Sequence, residues 1–480
     1  MSLKSLIQII ILCLWMCHTP CTAFGDKVIC MTLEDAISLA LRANRNLCRS
    51  AAGLESQRLS LSSAWSEFDV KLRPSADAGY SDDTESFGAG LSLEKRFDTG
   101  VRASLDPKIG KSDGLYSGKI GISLSIPLLR GLGRKANLNA ADRSEFAVRT
   151  GKRSLYLTRK NVVLDTVSAV YEIVRQKEMV RIFKSQARRL KAYAKTARVR
   201  EKVGLATPLD VYRAEIRLKD VEDSLTLARE SLRNGEDQLK LILAMPMEKP
   251  VEISAPLEFE MIQMPLNKAV AIALEHRIEL EQAEDEIRET HRRSDVARHN
   301  ILPQFDLEFD YGRHSTSEHF GGTMNLNEDR WSLRLVSNTD MARTSEKTAF
   351  RQSLISIRTA RLNLEAKQAE IQREVRRQLE AMIKAEERIR IREEQIKQAR
   401  GKLALAKIKF NHAMADNSDI IEAETEIQNA EVSLLSVNTK YIVGTYQLRA
   451  VLGTLIETTN YTNHTNRQGG SDHELHESHE

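Results

Sequence analysis

VGLATPLDVYRAE, Val203 to Glu215, interrupts a chain that otherwise keeps helical period for tens of residues on either side. Glycine commonly closes a helix, and proline is tolerated only at a helix start. Gly204 therefore ends one helix and Pro208 opens the next, with Asp210 in the first turn, where a carboxylate suits the positive end of the helix dipole. The stretch reads as a tight helix-to-helix turn. It is echoed 209 residues later by HAMADNSDIIEAE, His412 to Glu424: Asp210 matches Asp419, Val211 matches Ile420, and Ala214-Glu215 matches Ala423-Glu424. Thr207 in the first turn, and Asp416 or Ser418 in the second, are candidate caps.

The flanks of both turns are long helices. No proline occurs from about Lys135 to Lys202, and Val163, Val167, Val170 and Val174, then Phe183, Ala187, Leu190, Ala194 and Ala197, step by threes and fours. In the second half Val375, Met382, Ile389, Ile396 and Leu403 fall every seven residues among dense Arg, Lys and Glu, the signature of helices coiling on helices. At 1.5 Å per residue each stretch runs roughly 100 Å. Return helices are expected over Pro208 to about Leu243 and Ser418 to about Leu452.

A second echo has an offset of 233: MTLEDAISLALRANRNL, Met31 to Leu47, against MPLNKAVAIALEHRIEL, Met264 to Leu280. Each copy then reaches a proline followed by alternating residues, RPSADAGY from Arg73 and LPQFDLEFDY from Leu302. The expected organisation is thus two repeats, residues 24–259 and 260–458, each with a helix, β-strands and a long helical hairpin.

In FDLEFDY, Phe305, Leu307, Phe309 and Tyr311 share one face and Asp306, Glu308 and Asp310 the other. The acidic face must see water, because burying it in a core is costly. GISLSIPL and WSLRLV alternate in the same way, and Phe97-Asp98-Thr99-Gly100 reads as a hairpin turn. Such strands suit either a soluble antiparallel sandwich or a transmembrane barrel with a wet lumen, for which Asp306, Glu308 and Asp310 are the candidate lumen-facing residues.

The chain's first residues and the helices of roughly 100 Å favour the barrel. Lys4, an uncharged apolar run from Leu6 to Met16, and small residues at Cys21 and Ala23 mark residues 1–23 as a signal peptide, hence export. Lipidation would need a small residue before a Cys, whereas Pro20 precedes Cys21 and Met16 precedes Cys17. Cys30 and Cys48 remain after cleavage, available to pair but far short of a disulfide scaffold. A net charge of +4, spread along helices, gives nucleic-acid binding little support. Four to six strands cannot close a channel alone, since eight already give a side-chain-filled interior, so several chains must share one barrel.

At this point the sequence resembles the TolC-type outer-membrane efflux proteins over about Met31 to Leu455. The duplicated segments, both hairpin tips and the SIPLLRGLGRKAN junction, Ser125 to Asn137, carry the resemblance. It implies a mixed α and β membrane protein: a homotrimer whose twelve-stranded outer-membrane β-barrel continues into a periplasmic α-helical barrel. It further implies the exit duct of a tripartite efflux pump or type I secretion system, docked to a periplasmic adaptor (membrane fusion protein) and energised by an inner-membrane transporter, in Gram-negative bacteria. No catalysis, cofactor or metal is implied. The runner-up is a periplasmic or surface coiled-coil scaffold without a pore.

Carried onto this sequence, the resemblance makes Asp419 and Glu422 the acidic constriction at the periplasmic end. Three apart on one helix face, they would form rings of carboxylates that raise one another's pKa values. The first tip departs, with Arg213 in the second acidic place. Gly204, Leu205, Thr207, Ala413 and Met414 are the expected adaptor-docking residues. Two other departures are four strand-like runs in the first repeat, near Phe68–Tyr80, Gly90–Phe97, Val101–Ile109 and Lys119–Ile126, where the family usually has two, and a second junction, VSNTDMARTSEKTAF, without proline or glycine. The GLG at Gly131 lacks the third glycine of a dinucleotide site. The tail 459–480, with His464, His473, His476 and His479, reads as a disordered end, with metal capture the weaker alternative.

Overall fold

The structure is a computed structural model, and it describes residues 29–81, 84–412, 414 and 417–458. The expected signal peptide, the His-containing tail, Ala413 and Asp416 lie outside the described residues. In chain order the elements are β1 (Ile29–Thr32), α1 (Leu33–Ala43), α2 (Arg45–Trp65), β2 (Lys71–Ser81), β3 (Thr84–Arg96), β4 (Arg102–Leu105), β5 (Lys108–Ser112) and β6 (Leu115–Pro127). Then come α3 (Asn139–Lys202), α4 (Pro208–Ile242), β7 (Val251–Ser254), α5 (Leu266–His276) and α6 (Ile278–Asn300). The chain continues with β8 (Asp306–Ser317), β9 (Glu328–Val336), α7 (Thr344–Asn411) and α8 (Asn417–Leu452). Among the described residues no helix is long and apolar enough to cross a membrane.

The chain divides into two compact units, each assembled from separated segments. One unit takes the residues up to Asn44 with Val163–Glu260 and Glu387–Val443; the other takes Arg45–Val162, Met261–Glu386 and the residues from Gly444 onward.

In the first unit, β1 and β7 form a two-stranded parallel sheet, with Ile29 opposite Val251 and Thr32 opposite Ser254. The sequence reading assigned no strand here, because four residues are too few to establish alternation. Thr32 then caps α1: its hydroxyl accepts from the Asp35 N–H, while the Asp35 carboxylate accepts from the Thr32 N–H. The core of this unit packs Leu190 and Ala194 of α3 against Ala214 and Val221 of α4 and Ile421 of α8. Each fully buried leucine or valine of this kind contributes about 1.5–3 kcal/mol by leaving water.

In the second unit, Ala269 and Ala273 of α5, Ile371 and Val375 of α7, and Leu448 of α8 form one cluster. Gly444 allows the close approach: a Cβ there would lie 2.7 Å from Met382 Sδ. Helix α6 is charged along most of its length, yet Asp285 and Glu289 are buried. Arg153 and Arg149 of α3 reach Asp285 at 2.8 and 3.1 Å, and Arg292 and Arg293 hold Glu289 at 2.7 and 2.8 Å. Burial pushes the Asp285 carboxyl up, and the two arginines more than reverse this, leaving it below the usual carboxylate range.

This unit also holds an antiparallel sheet of order β2-β3-β4-β6-β8-β9, with β5 paired to β3 and β6. Leu93 faces Leu105 and Gly90 faces Lys108, while on the other side Leu105 faces Ile122 and Lys108 faces Lys119. The register is unbroken, so β4 and β5 are two ends of one strand. The ladder weakens at Asp106-Pro107, but the Asp106 N–H still donates to Gly121 O and Pro107 O still accepts from the Leu91 N–H. The sheet therefore has six strand positions, four from the first half of the chain. Those four match the four runs read from the sequence, with Ser66–Phe68 forming a 3-10 turn ahead of β2 instead of its first residues. Phe97 to Gly100 makes the expected turn, closed by the Phe97 N–H to Val101 O. Cys30 and Cys48 are both free thiols.

Candidate functional site: two hairpin tips and a two-faced sheet

At the first tip, the Leu205 N–H donates to Arg200 O at 2.8 Å, six-to-one geometry that satisfies a terminal carbonyl of α3, and Gly204 takes φ +75°. Thr207 begins α4 with a full capping box: its hydroxyl accepts from the Asp210 N–H and the Asp210 carboxylate accepts from the Thr207 N–H at 3.0 Å. Asp210 is thus committed to its own helix start. Leu205 stands 74% exposed, and Val203, Leu209, Tyr212 and Ile216 are exposed beside it.

At the second tip the same closure recurs 209 residues on: the Met414 N–H donates to Lys409 O at 2.8 Å. Met414 is exposed, as are Asp419 and Glu422 in the opening turns of α8. Lys402 of α7 spans the hairpin to Glu422 at 2.8 Å and Glu426 at 2.7 Å. These two hydrogen bonds push the Lys402 ammonium to about 12, and the same lysine holds Glu422 below its usual value. Within one chain, Glu422 and Glu426 thus share the Lys402 ammonium, a charge of opposite sign.

Polar and cation–π contacts also join the hairpins within this unit. The Arg200 guanidinium lies 3.8 Å from the centre of the Phe410 ring, and Arg217 donates to the Thr425 hydroxyl at 3.1 Å. Glu424, 1% exposed, accepts from Arg189 of α3 at 2.8 Å, with Tyr193 Oη at 3.4 Å and Lys407 at 3.9 Å. None of Arg189, Lys402 or Phe410 was singled out from the sequence. Reflecting α7 onto α8 through the tip would have found Lys402 opposite Glu422; no sequence signal links Arg189 to a residue 235 positions away.

The sheet separates its residues by face on every strand. Leu72, Leu93, Leu105, Ile122, Tyr311 and Trp331 follow one another across the ladder on one face. On the other, Glu94, Ser104, Ser123, Asp310 and Ser332 do so. Arg334 reaches Glu308 at 3.0 Å and Asp310 at 3.2 Å, and Asp310 also accepts from Ser123 at 2.7 Å. Asp306 accepts from Gln304 at 2.7 Å. The three predicted acidic residues do share the polar face. The apolar face is open: Trp331 is 70% exposed and Leu333 and Leu335 nearly as much, and an exposed apolar face of this kind marks an interaction or membrane surface. Among the described residues no cluster of His, Cys, Asp and Glu has a metal-binding arrangement.

Comparison with known proteins agrees with this two-part construction. Among solved structures, CusC superposes with a TM-score of 0.70 at 14% identity, covering 90% of this chain and 95% of its own. The CmeC outer membrane channel of Campylobacter jejuni gives 0.70 at 15% identity, covering 88% and 86%. The open-state MtrE outer membrane channel of Neisseria gonorrhoeae gives 0.70 at 15%, covering 88% and 89%. Against curated protein sequences no match was found. The sequence model of the outer membrane efflux protein family matches residues 36–244 and 269–454, and so, with most of its length matched and the fold shared, the chain belongs to the outer membrane efflux protein family, the channels of the TolC type.

Proposed function

We propose that this protein is the exit duct of a multi-component efflux assembly, a homotrimer whose sheets close a barrel in the bacterial outer membrane. The helices of 64 and 68 residues, α3 and α7, then line a periplasmic conduit. The observation that carries the reading is the two-faced sheet: a largely apolar face with exposed aromatics and leucines, backed by a face of Ser, Gly and paired charges. A coiled-coil scaffold without a pore has no use for such a face. Asp306, Glu308 and Asp310 then face the lumen. The chain supplies no energy and performs no reaction; an inner-membrane transporter does the work through a periplasmic adaptor, in a drug-efflux or type I secretion setting.

Asp419 and Glu422 are proposed to narrow the periplasmic end, with Lys402 moderating the charge that Glu422 and Glu426 contribute. Gly204, Leu205, Thr207, Ala413 and Met414 are proposed to dock the adaptor. Leu205 and Met414 present apolar side chains at the tips, and Gly204 leaves room for close backbone approach.

Reconstitution in planar bilayers tests the duct. Ion conductance from purified trimers is expected, and its absence would sink the proposal. In the same bilayers, the double variant Asp419→Ala/Glu422→Ala is expected to lose cation selectivity, whereas Lys402→Ala increases it; unchanged selectivity in both removes the gate assignment. Site-specific crosslinking from Leu205 and Met414 is expected to trap the adaptor.

A further inference from the structure

Among the described residues, the sheet of six strand positions ends in two edges, β2 and β9. In hydrocarbon, each unmet backbone N–H or C=O costs several kcal/mol, so a sheet that sits in a membrane cannot leave edges open. Nor can these six strands close on themselves. Eight strands already leave an interior just filled by side chains, and here Arg73, Arg96, Arg102, Glu308 and Arg334 would have to share a narrower one. The edges must therefore pair with other copies.

The strand count decides how. Strands alternate in direction across the sheet, so β2 and β9 run antiparallel to each other. An edge β9 of one copy can thus meet β2 of the next in the same antiparallel sense as the rest of the ladder. Face alternation persists to both edges. On β2, Leu72, Ala76 and Ala78 continue the apolar face, while Arg73 and Asp77 continue the polar one. A solvated hairpin standing off the barrel needs no such alternation. Nor is the β2–β3 hairpin a short flap: its strands have eleven and thirteen residues in continuous register from Lys71↔Glu94 to Ser81↔Thr84. Pro74 removes one donor at most from that ladder.

We infer that all six strand positions of each chain enter the barrel wall, with β9 of one copy paired to β2 of its neighbour. Resting on the trimer proposed above, three chains of six strands give an eighteen-stranded barrel in place of the twelve implied by the family resemblance. Barrel diameter grows about linearly with strand number, so the mouth is roughly one and a half times as wide as a twelve-stranded one. The polar face suits a wide bore: Ser86, Gly88, Gly90 and Ser92 along β3 leave space uncrowded by side chains.

Cysteine crosslinking in the full-length protein in native outer membranes tests this. In a Cys30→Ser/Cys48→Ser background, Leu333→Cys on β9 is combined in turn with Leu72→Cys, Ala76→Cys or Ala78→Cys on β2. A second series combines it with Ala103→Cys, Leu105→Cys or Ile109→Cys on β4 and β5. Covalent oligomers are expected from the β2 series and none from the second. Oligomers from the second series, or from neither, overturn the inference. Native mass spectrometry of the wild type separately reads the number of chains, so a failed trimer is distinguishable from a failed edge pairing. A density map of the unmodified channel, immune to any folding defect of the variants, is expected to show eighteen strands; twelve would refute the pairing.

Discussion

The two hairpin tips are built from matching stretches, yet residues 209 apart make different contacts. Arg198 and Glu215 pair at 2.5 Å at the surface of the first hairpin. Their counterparts Lys407 and Glu424 stand at 3.9 Å, because Glu424 has turned inward to Arg189 of the other hairpin and is buried there. Arg189 itself corresponds to Gln398, which has no charge to return the favour. Where the second tip carries Lys402, Glu422 and Glu426, the first carries Tyr193, Arg213 and Arg217. The same backbone closure therefore supports an acidic cluster at one tip and an apolar, basic surface at the other. The turn is common to both tips; burial and charge differ.

The largest effect expected from this contrast is at Glu424. Arg189→Ala leaves a buried carboxylate with only Tyr193 and the more distant Lys407, and about 2–4 kcal/mol of local stability should be lost, the lower end reflecting the half-exposed arginine. Arg198→Ala, at the exposed equivalent, should cost less than about 1 kcal/mol. Hydrogen exchange in the opening turns of α8 and α4 reads both. Equal losses at the two tips would erase the distinction.

Next comes Gly204→Ala, which should cost about 1–2 kcal/mol through its positive φ alone, since a Cβ there would touch nothing within 4 Å. The second tip has Ala413 at the matching position, so Ala413→Gly is the reciprocal variant, and loss in the first with no comparable gain in the second would make the glycine requirement a property of the first tip alone. Thr207→Ala removes the capping box and should cost about 1 kcal/mol, with exchange accelerating at the amides of Leu209 and Asp210; Thr207→Ser should restore protection.

The smallest effect is the pH response of the second tip. The raised Lys402 pKa makes its contribution complete below about 10.5, the lysine's unfolded value, and lost as pH climbs through about 12. The lowered Glu422 pKa makes its contribution complete above about 4.5 and lost as pH falls through its depressed folded value. Between these limits the Lys402 contacts should be pH-independent. All three side chains are at the surface, so the effect is modest and should shrink in high salt. Protection at α8, corrected for the intrinsic rise of amide exchange with pH, that instead changed steadily from pH 6 to pH 9 would point to another titrating group.

The helices were legible because their cause is local and repeated. Val163, Val167, Val170 and Val174 are all buried, as are Val375, Met382, Ile389 and Ile396 of the seven-residue series. The Pro208 start was readable to the residue, since ring closure and the missing N–H leave proline few other places. The strand from Asp306 was equally plain, its charges and aromatics alternating without error. β1 and β7 were not, being four residues each and stabilised only by meeting across more than 200 positions. Within the candidate site, Asp419 and Glu422 came from the family resemblance, while Lys402, which pairs with Glu422, required the hairpin to be folded.

The sequence by itself determined the two tips, the long coiled helices and a sheet with one apolar and one polar face, because caps, heptads and alternation act between near neighbours. Only the tertiary structure decided that strands from both halves of the chain join in one sheet with β2 and β9 at its edges, and that Glu424 answers to Arg189. Those outcomes depend on which backbone edges and charges meet across hundreds of residues, where pairing is settled by burial and register and leaves no mark in the local pattern.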